Sequence, residues 1–191
     1  LWEGYQELFQ EVMPGLVERY DPDRPYVSSS PLSNWGKMEN FNHHSNHYWG
    51  VWHGEDDLDG FRTYIPRFMS EYGVQSYGYY ENLQEFEEEG VLEFGSEVVE
   101  GYQRSYKGNE FLFDFTRRWL GDPKDFRAAT YMSQLTQAMA MDIAISNHRL
   151  NMPRCMGTLY WQFNTPWRGA SWSTVDFAGD PKAAHYYVKR L

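Results

Sequence analysis

Cysteine is almost missing from this chain: Cys155 is the only one in 191 residues. A single thiol excludes an intramolecular disulfide and a CxxC metal site, and it leaves the compartment open. Positive charge is scarce as well. Seventeen Lys and Arg face 27 Asp and Glu, a net charge of −10 with no basic stripe to offset it, which argues against nucleic acid or an anionic membrane as partner. No apolar run approaches the roughly 18 residues of a membrane span. Leu1-Trp-Glu-Gly4 lacks the basic and apolar regions of a signal peptide. The first residue is not methionine and lies inside a helical pattern, so a piece of something longer is expected. The length suffices for one sizeable core but not for a complete (β/α)8 barrel, which needs roughly 200 to 250 residues.

What is abundant is aromatic: 18% of the residues, with 8 Trp and 15 Tyr. Aromatic faces stack on the C–H face of a pyranose, while Tyr O–H and Trp N–H supply hydrogen bonds, so such a composition suits a carbohydrate pocket. It equally suits an aromatic core, and for most of these rings the core is the expectation.

Along the chain, Tyr5, Leu8, Phe9, Val12, Met13, Leu16, Val17 and Tyr20 recur at threes and fours and predict a helix, with Pro14 as a kink. Asp21-Pro-Asp-Arg-Pro25 breaks it, and Tyr26–Pro31 reads as a short strand. Residues 31–47 form a polar loop containing Trp35, longer than a compact domain ordinarily leaves unstructured and therefore of functional interest. His43, His44 and His47 lie in it, but their spacing fits no standard zinc motif, and solvated or hydrogen-bonded histidines are expected. Tyr48–His53 is the second strand candidate.

Pro66-Arg-Phe-Met-Ser-Glu-Tyr-Gly73 is the third. It reads as a buried strand, with Phe68 and Met69 as its apolar run, delivering Glu71 at its tip, where a parallel barrel keeps its chemistry. A glutamate there among tryptophans points to a sugar-cleaving carboxylate; an ion pair with Arg67 is the structural alternative. Residues 74–80 read as a loop at the pocket's edge. The acidic stretch from Glu81 to Glu100, with Glu87, Glu88 and Glu89 in a row, reads as a solvated face. Helices are predicted over 109–120 and 125–150, the second with its methionines and tyrosine in the core. Pro153–Phe163 is the fourth strand, and residues 182–191 form a closing helix. Four strands with helices between and after them make half of a (β/α)8 barrel, in one domain over residues 1–191.

Several of these segments resemble one family. Arg67-Phe-Met-Ser-Glu-Tyr-Gly-Val-Gln-Ser76 is similar to the nucleophile strand of the β-mannosidases of glycoside hydrolase family 2. His47-Tyr-Trp-Gly-Val-Trp-His-Gly54 resembles the strand before it. Tyr160-Trp-Gln-Phe-Asn164, Ser171-Trp-Ser-Thr-Val-Asp176 and Pro181-Lys-Ala-Ala-His185 resemble the last strand and helix. The resemblance covers essentially the whole chain in order.

It implies an α/β fold, strands five to eight of a TIM barrel, and a retaining exo-hydrolase that removes terminal β-D-mannose from non-reducing ends. Glu71 matches the nucleophile. Trp161 matches the tryptophan that shapes the subsite of the terminal sugar, and Trp35 falls where another is carried. Tyr48, Trp49, Trp52, His53 and Trp172 match substrate-side segments. The family's Gly-Asn-Asn-Glu acid/base motif is not found here; Gly108-Asn-Glu110 looks like it but follows the nucleophile. The fragment alone is therefore expected to be nearly inactive. No cofactor or metal is implied. The implied partners are an oligosaccharide ending in β-mannose and either the missing N-terminal barrel half or a second copy. Periplasmic, secreted or lysosomal placement would suit the family. A β-galactosidase or β-glucuronidase shares the chemistry, and a non-catalytic carbohydrate-binding module would share the tryptophans.

Overall fold

The computed structural model describes residues 1–85 and 91–191; the Glu87–Glu89 run lies outside them. The chain begins with a helical rod: α1 (Trp2–Gln6), a π-helical stretch Glu7–Val12, and α2 (Met13–Tyr20). The wide π turns immediately precede Pro14, whose ring removes one donor from the ladder. The predicted apolar face is present but finds no cover here: no residue of the rod is buried, and Trp2, Leu8, Val12, Leu16 and Tyr20 are exposed.

Three short parallel strands follow, β1 (Ser33–Asn34), β2 (Ser45–His47) and β3 (Phe68–Glu71), in the order β1-β2-β3. A 3-10 turn over Met38–Asn42 connects β1 to β2, and α3 (Gly60–Thr63) lies between β2 and β3. Residues 156–161 run alongside β3 as a fourth parallel member: Met69 N–H donates to Gly157 O at 2.9 Å, Leu159 N–H to Met69 O at 2.8 Å, and Trp161 N–H to Tyr72 O at 2.8 Å. The result is an α/β scaffold with a small parallel sheet.

Three strand positions differ from the sequence reading. Residues 26–31 are not a strand, because among the described residues no backbone hydrogen bond pairs them with a neighbouring segment; the Tyr26 hydroxyl donates to Phe9 O at 2.9 Å, and the strand forms at Ser33–Asn34 instead. The second strand ends at His47, so the aromatics of residues 48–53 lie in the turn beyond its tip. Aromatic and β-branched content signals a half-buried packing surface, not necessarily an extended backbone. The fourth candidate makes ladder bonds over 156–161 without a regular strand over 153–163. In β3 only Met69 of the apolar pair is buried; Phe68 is 37% exposed and lies over Gly157. The loop after it is core rather than rim, since Val74 to Gly78 are buried and Tyr77 donates to Asn109 Oδ1 at 2.6 Å.

Helices α4 (Tyr80–Glu85), α5 (Glu97–Tyr102), α6 (Gly108–Leu120), α7 (Phe126–Leu150) and α8 (Ala183–Arg190) complete the fold. Ser96 caps α5 through Val99 N–H, and Asp125 caps α7 through Ala128 N–H at 2.7 Å. Gly121, at φ +78°, ends α6. On α7, Ala129, Ser133, Gln137, Ala140, Ala144 and His148 form one buried stripe at helical spacing. Its small residues allow close approach to the sheet-side loops. Tyr131 faces outward at 58% exposure, against the expectation that it joins the core.

Candidate active site

Parallel pairing places His47, the last residue of β2, opposite Glu71, the last of β3. Their side chains meet at the strand tips, His47 Nδ1 lying 3.7 Å from Glu71 Oε1. The chain turns sharply after His47, and Trp49 comes back over the carboxylate to donate from Nε1 to the same oxygen at 2.9 Å. Among the described residues the partners of this carboxylate are thus Trp49 and His47, not Arg67. The group is only partly covered, with a side-chain exposure of 24%.

Aromatic rings surround this corner. Trp172 stands edge-on to Trp49 with centroids 6.1 Å apart, and His53 packs on both, 5.0 Å from Trp49 and 6.0 Å from Trp172. Tyr106 stacks on His53 at 5.5 Å and its hydroxyl lies 3.0 Å from His53 Nδ1. Burial, assisted by the nearby Lys107 ammonium, holds the His53 pKa below the usual histidine range. Lys107 in turn pairs with Glu55. Trp161, 44% exposed, is brought up against the strand by Gly73, where a Cβ would lie 2.2 Å from Trp161 O.

The remaining predicted residues sit behind this layer. Tyr48 and Trp52 are buried and offer no surface to a ligand. Tyr48 donates to Asp56 Oδ2 at 2.8 Å, and burial together with that carboxylate raises its pKa well above the ordinary phenol value. Trp52 lies between Phe111 and Phe115 at 5.0 and 5.4 Å. Trp35, half-buried, stands edge-on to Tyr48 at 6.1 Å and contacts the Gly54 turn, so it supports the wall. The structure therefore gathers Glu71, Trp49, His53 and Trp172, brings Trp161 to the adjoining strand end, and withdraws Tyr48 and Trp52.

Sequence reasoning did not assign His47 or Tyr106 to the site. In the sequence His47 shares the polar loop with His43 and His44 and opens the His47–Gly54 motif without a role of its own; among the described residues no three His, Cys, Asp or Glu side chains gather as metal ligands. Its position one residue before the aromatic run was the available signal. Tyr106 carries none. A hollow of about 210 Å³ lined by Tyr79, Tyr80, Glu81, Arg127, Thr130, Tyr131 and Gln134 contains none of the site residues.

A carboxylate at a parallel strand tip, held by an indole N–H and walled by tryptophans, defines an α/β protein with an aromatic-lined acidic site of the sort that suits sugars. No model of a known protein family matches the chain. Individual proteins do. It is 28% identical over 189 residues to β-mannosidase B of Aspergillus clavatus and to that of Aspergillus niger, covering 96% of this chain and 22% of each relative. The crystal structure of β-D-mannosidase from Dictyoglomus thermophilum superposes with a TM-score of 0.86 at 31% identity, covering 97% of this chain and 23% of that one. The resemblance to β-mannosidases carried by the motifs thus holds over nearly the whole chain, in sequence and in fold. The chain spans about a fifth of the length of these relatives.

Proposed function

We propose that this chain carries the nucleophile of a retaining, exo-acting β-mannosidase and forms the second half of its catalytic (β/α)8 barrel. The observation that carries the reading is the setting of Glu71, at a parallel strand tip with Trp49 N–H on one carboxylate oxygen. Both Trp49 and His47 approach Oε1, which leaves Oε2 to attack.

Attack on the anomeric carbon forms an ester between Glu71 and the sugar as the glycosidic bond breaks. A second carboxyl group, about 5 to 5.5 Å away in retaining enzymes, protonates the departing oxygen and then activates water to cleave the ester. That group comes from outside these 191 residues, which hold no counterpart of the family's acid/base motif. General acid catalysis is worth about 10²- to 10⁴-fold, so the chain alone turns over natural oligosaccharides very slowly. Trp49, Trp172, His53 and Trp161 supply the faces on which the terminal mannose rests, with Trp35, Tyr48 and Trp52 as their support.

The test is the intact mass after incubation with 2-deoxy-2-fluoro-β-mannosyl fluoride, whose fluoride departs without protonation. The expected result is a gain of one sugar mapping to Glu71 and absent from Glu71→Gln. A chain that stays unmodified, with or without the upstream barrel half, contradicts the reading. Faster labelling by the galactosyl or glucuronyl fluoride would transfer the chemistry to another sugar.

A further inference from the structure

Beneath the site, hydrogen bonds converge on two buried side chains that take no part in the chemistry at Glu71. Lys182, preceding α8, is fully buried. Its Nζ donates to Ser76 Oγ at 2.8 Å and to the carbonyls of Ser76 and Ser171 at 3.3 and 3.4 Å. Three protons thus meet three acceptors, which is what an ammonium needs out of water. Desolvation nevertheless pushes its pKa down to about 7, with Asp176 pulling the other way.

Gln137, fully buried on α7, accepts from Ser76 Oγ at 2.8 Å. Its amide donates to the carbonyls of Val74 and Trp172, both at 3.0 Å, and of Ser173 at 3.2 Å. Together the two side chains join the segment after β3, helix α7 and the loop that carries Trp172. The carbonyls on both sides of the Ser171–Trp172 step are held, one by Lys182 and one by Gln137. The Trp172 Nε1 is buried without a hydrogen-bond partner among the described residues, so the ring is placed by its backbone and by packing against Trp49, Trp52 and His53. Its ring stands against Trp49, whose N–H holds Glu71.

We propose that Lys182 and Gln137 are positioning residues that clamp the Trp172 loop, so that the Trp172 ring sets the placement of Trp49 and, through it, of Glu71. This rests on the reading of Glu71 as nucleophile. Lys182→Met preserves volume and removes a costly buried charge, a change that proteins often tolerate. The Ser76 and Ser171 carbonyls keep a partner each, because these two residues exchange backbone bonds at 2.9 and 3.0 Å.

The experiment compares Lys182→Met and Gln137→Met with the unsubstituted chain, each with Trp172 present and in a Trp172→Ala background. The limiting rate of Glu71 labelling by 2-deoxy-2-fluoro-β-mannosyl fluoride is separated from the half-saturating concentration, and amide hydrogen exchange is followed over residues 171–174. The clamp predicts a limiting rate about tenfold lower in either variant, and no further loss where Trp172 is already alanine. Exchange should speed up over 171–174 and stay unchanged in α6. Unaltered labelling with unaltered exchange overturns the proposal, and so does a loss that persists in full without Trp172. If the unsubstituted chain takes no label even with the upstream barrel half added, the nucleophile reading fails by itself. The clamp is then decided by exchange, upheld by an acceleration confined to 171–174 and overturned by its absence.

Discussion

Trp49 and Glu71, 22 residues apart, are joined by one hydrogen bond of 2.9 Å from the indole N–H to Oε1. It is backed by the main chain, since Tyr48 N–H donates to Glu71 O at 2.8 Å. Each residue's position thus depends on the parallel pairing of β2 with β3. A hydrogen bond to a charged group contributes about 1.5 to 3 kcal/mol. Trp49→Phe keeps an aromatic ring and removes the donor, and labelling of Glu71 should slow by roughly tenfold or more while stability in urea falls by no more than about 3 kcal/mol. Equal labelling rates would show that the indole merely packs.

Gly73 and Gly101 predict opposite outcomes for the same substitution. A Cβ on Gly73 would lie 2.2 Å from Trp161 O, a backbone atom that can give way only by moving the 161 segment. Gly73→Ala should cost about 1 to 3 kcal/mol, the usual range for overpacking. Gly101 has open space on α5, and its alanine variant should gain about 0.4 to 1 kcal/mol. Chemical denaturation of both variants side by side checks the pair.

His148 sets an acid limit on stability. It is buried, with Nδ1 2.9 Å from Thr158 Oγ1 and Nε2 without a partner among the described residues, and desolvation lowers its pKa to about 4 from 6.5. Below pH 6.5 the unfolded chain takes up a proton that the folded chain refuses until about pH 4. The stability this residue contributes is therefore complete above pH 6.5 and lost as pH falls towards 4, on the order of 3 kcal/mol. In His148→Asn the fall in the urea midpoint across that window should be shallower; an identical fall would assign the acid sensitivity to other groups.

The apolar face of the N-terminal rod is exposed at Trp2, Leu8, Val12, Leu16 and Tyr20, and Met156, Leu159 and Phe163 are exposed on or just after the segment that pairs with β3. We propose that both surfaces are covered by the remaining barrel strands and helices, and in their absence by a second copy. Sedimentation at micromolar concentration should show association, which Leu16→Glu weakens. A strictly monomeric chain would refute this.

Local pattern was enough to locate α6, α7 and the Glu71 strand. Each is specified by neighbours in sequence: a 3.6-residue apolar period, the Asp125 cap, Gly121 past the helix end, and a short run from Pro66 to Gly73. The resemblance carried by the run from Pro66 to Gly73 points to Glu71 without its contacts.

What local pattern could not sort was the direction of the rings between Tyr48 and His53. A turn has no fixed side-chain period, so only its path in space sends Trp49 to the carboxylate and Trp52 into the core against Phe111 and Phe115. His47 reaches Glu71 through parallel register, and Lys182 reaches Ser76 across 106 residues. The sequence by itself determined which residue types could act at this site and where Glu71 would sit on its strand. The tertiary structure alone decided which of them meet, because register, turn path and long-range hydrogen bonds are properties of segments brought together by packing.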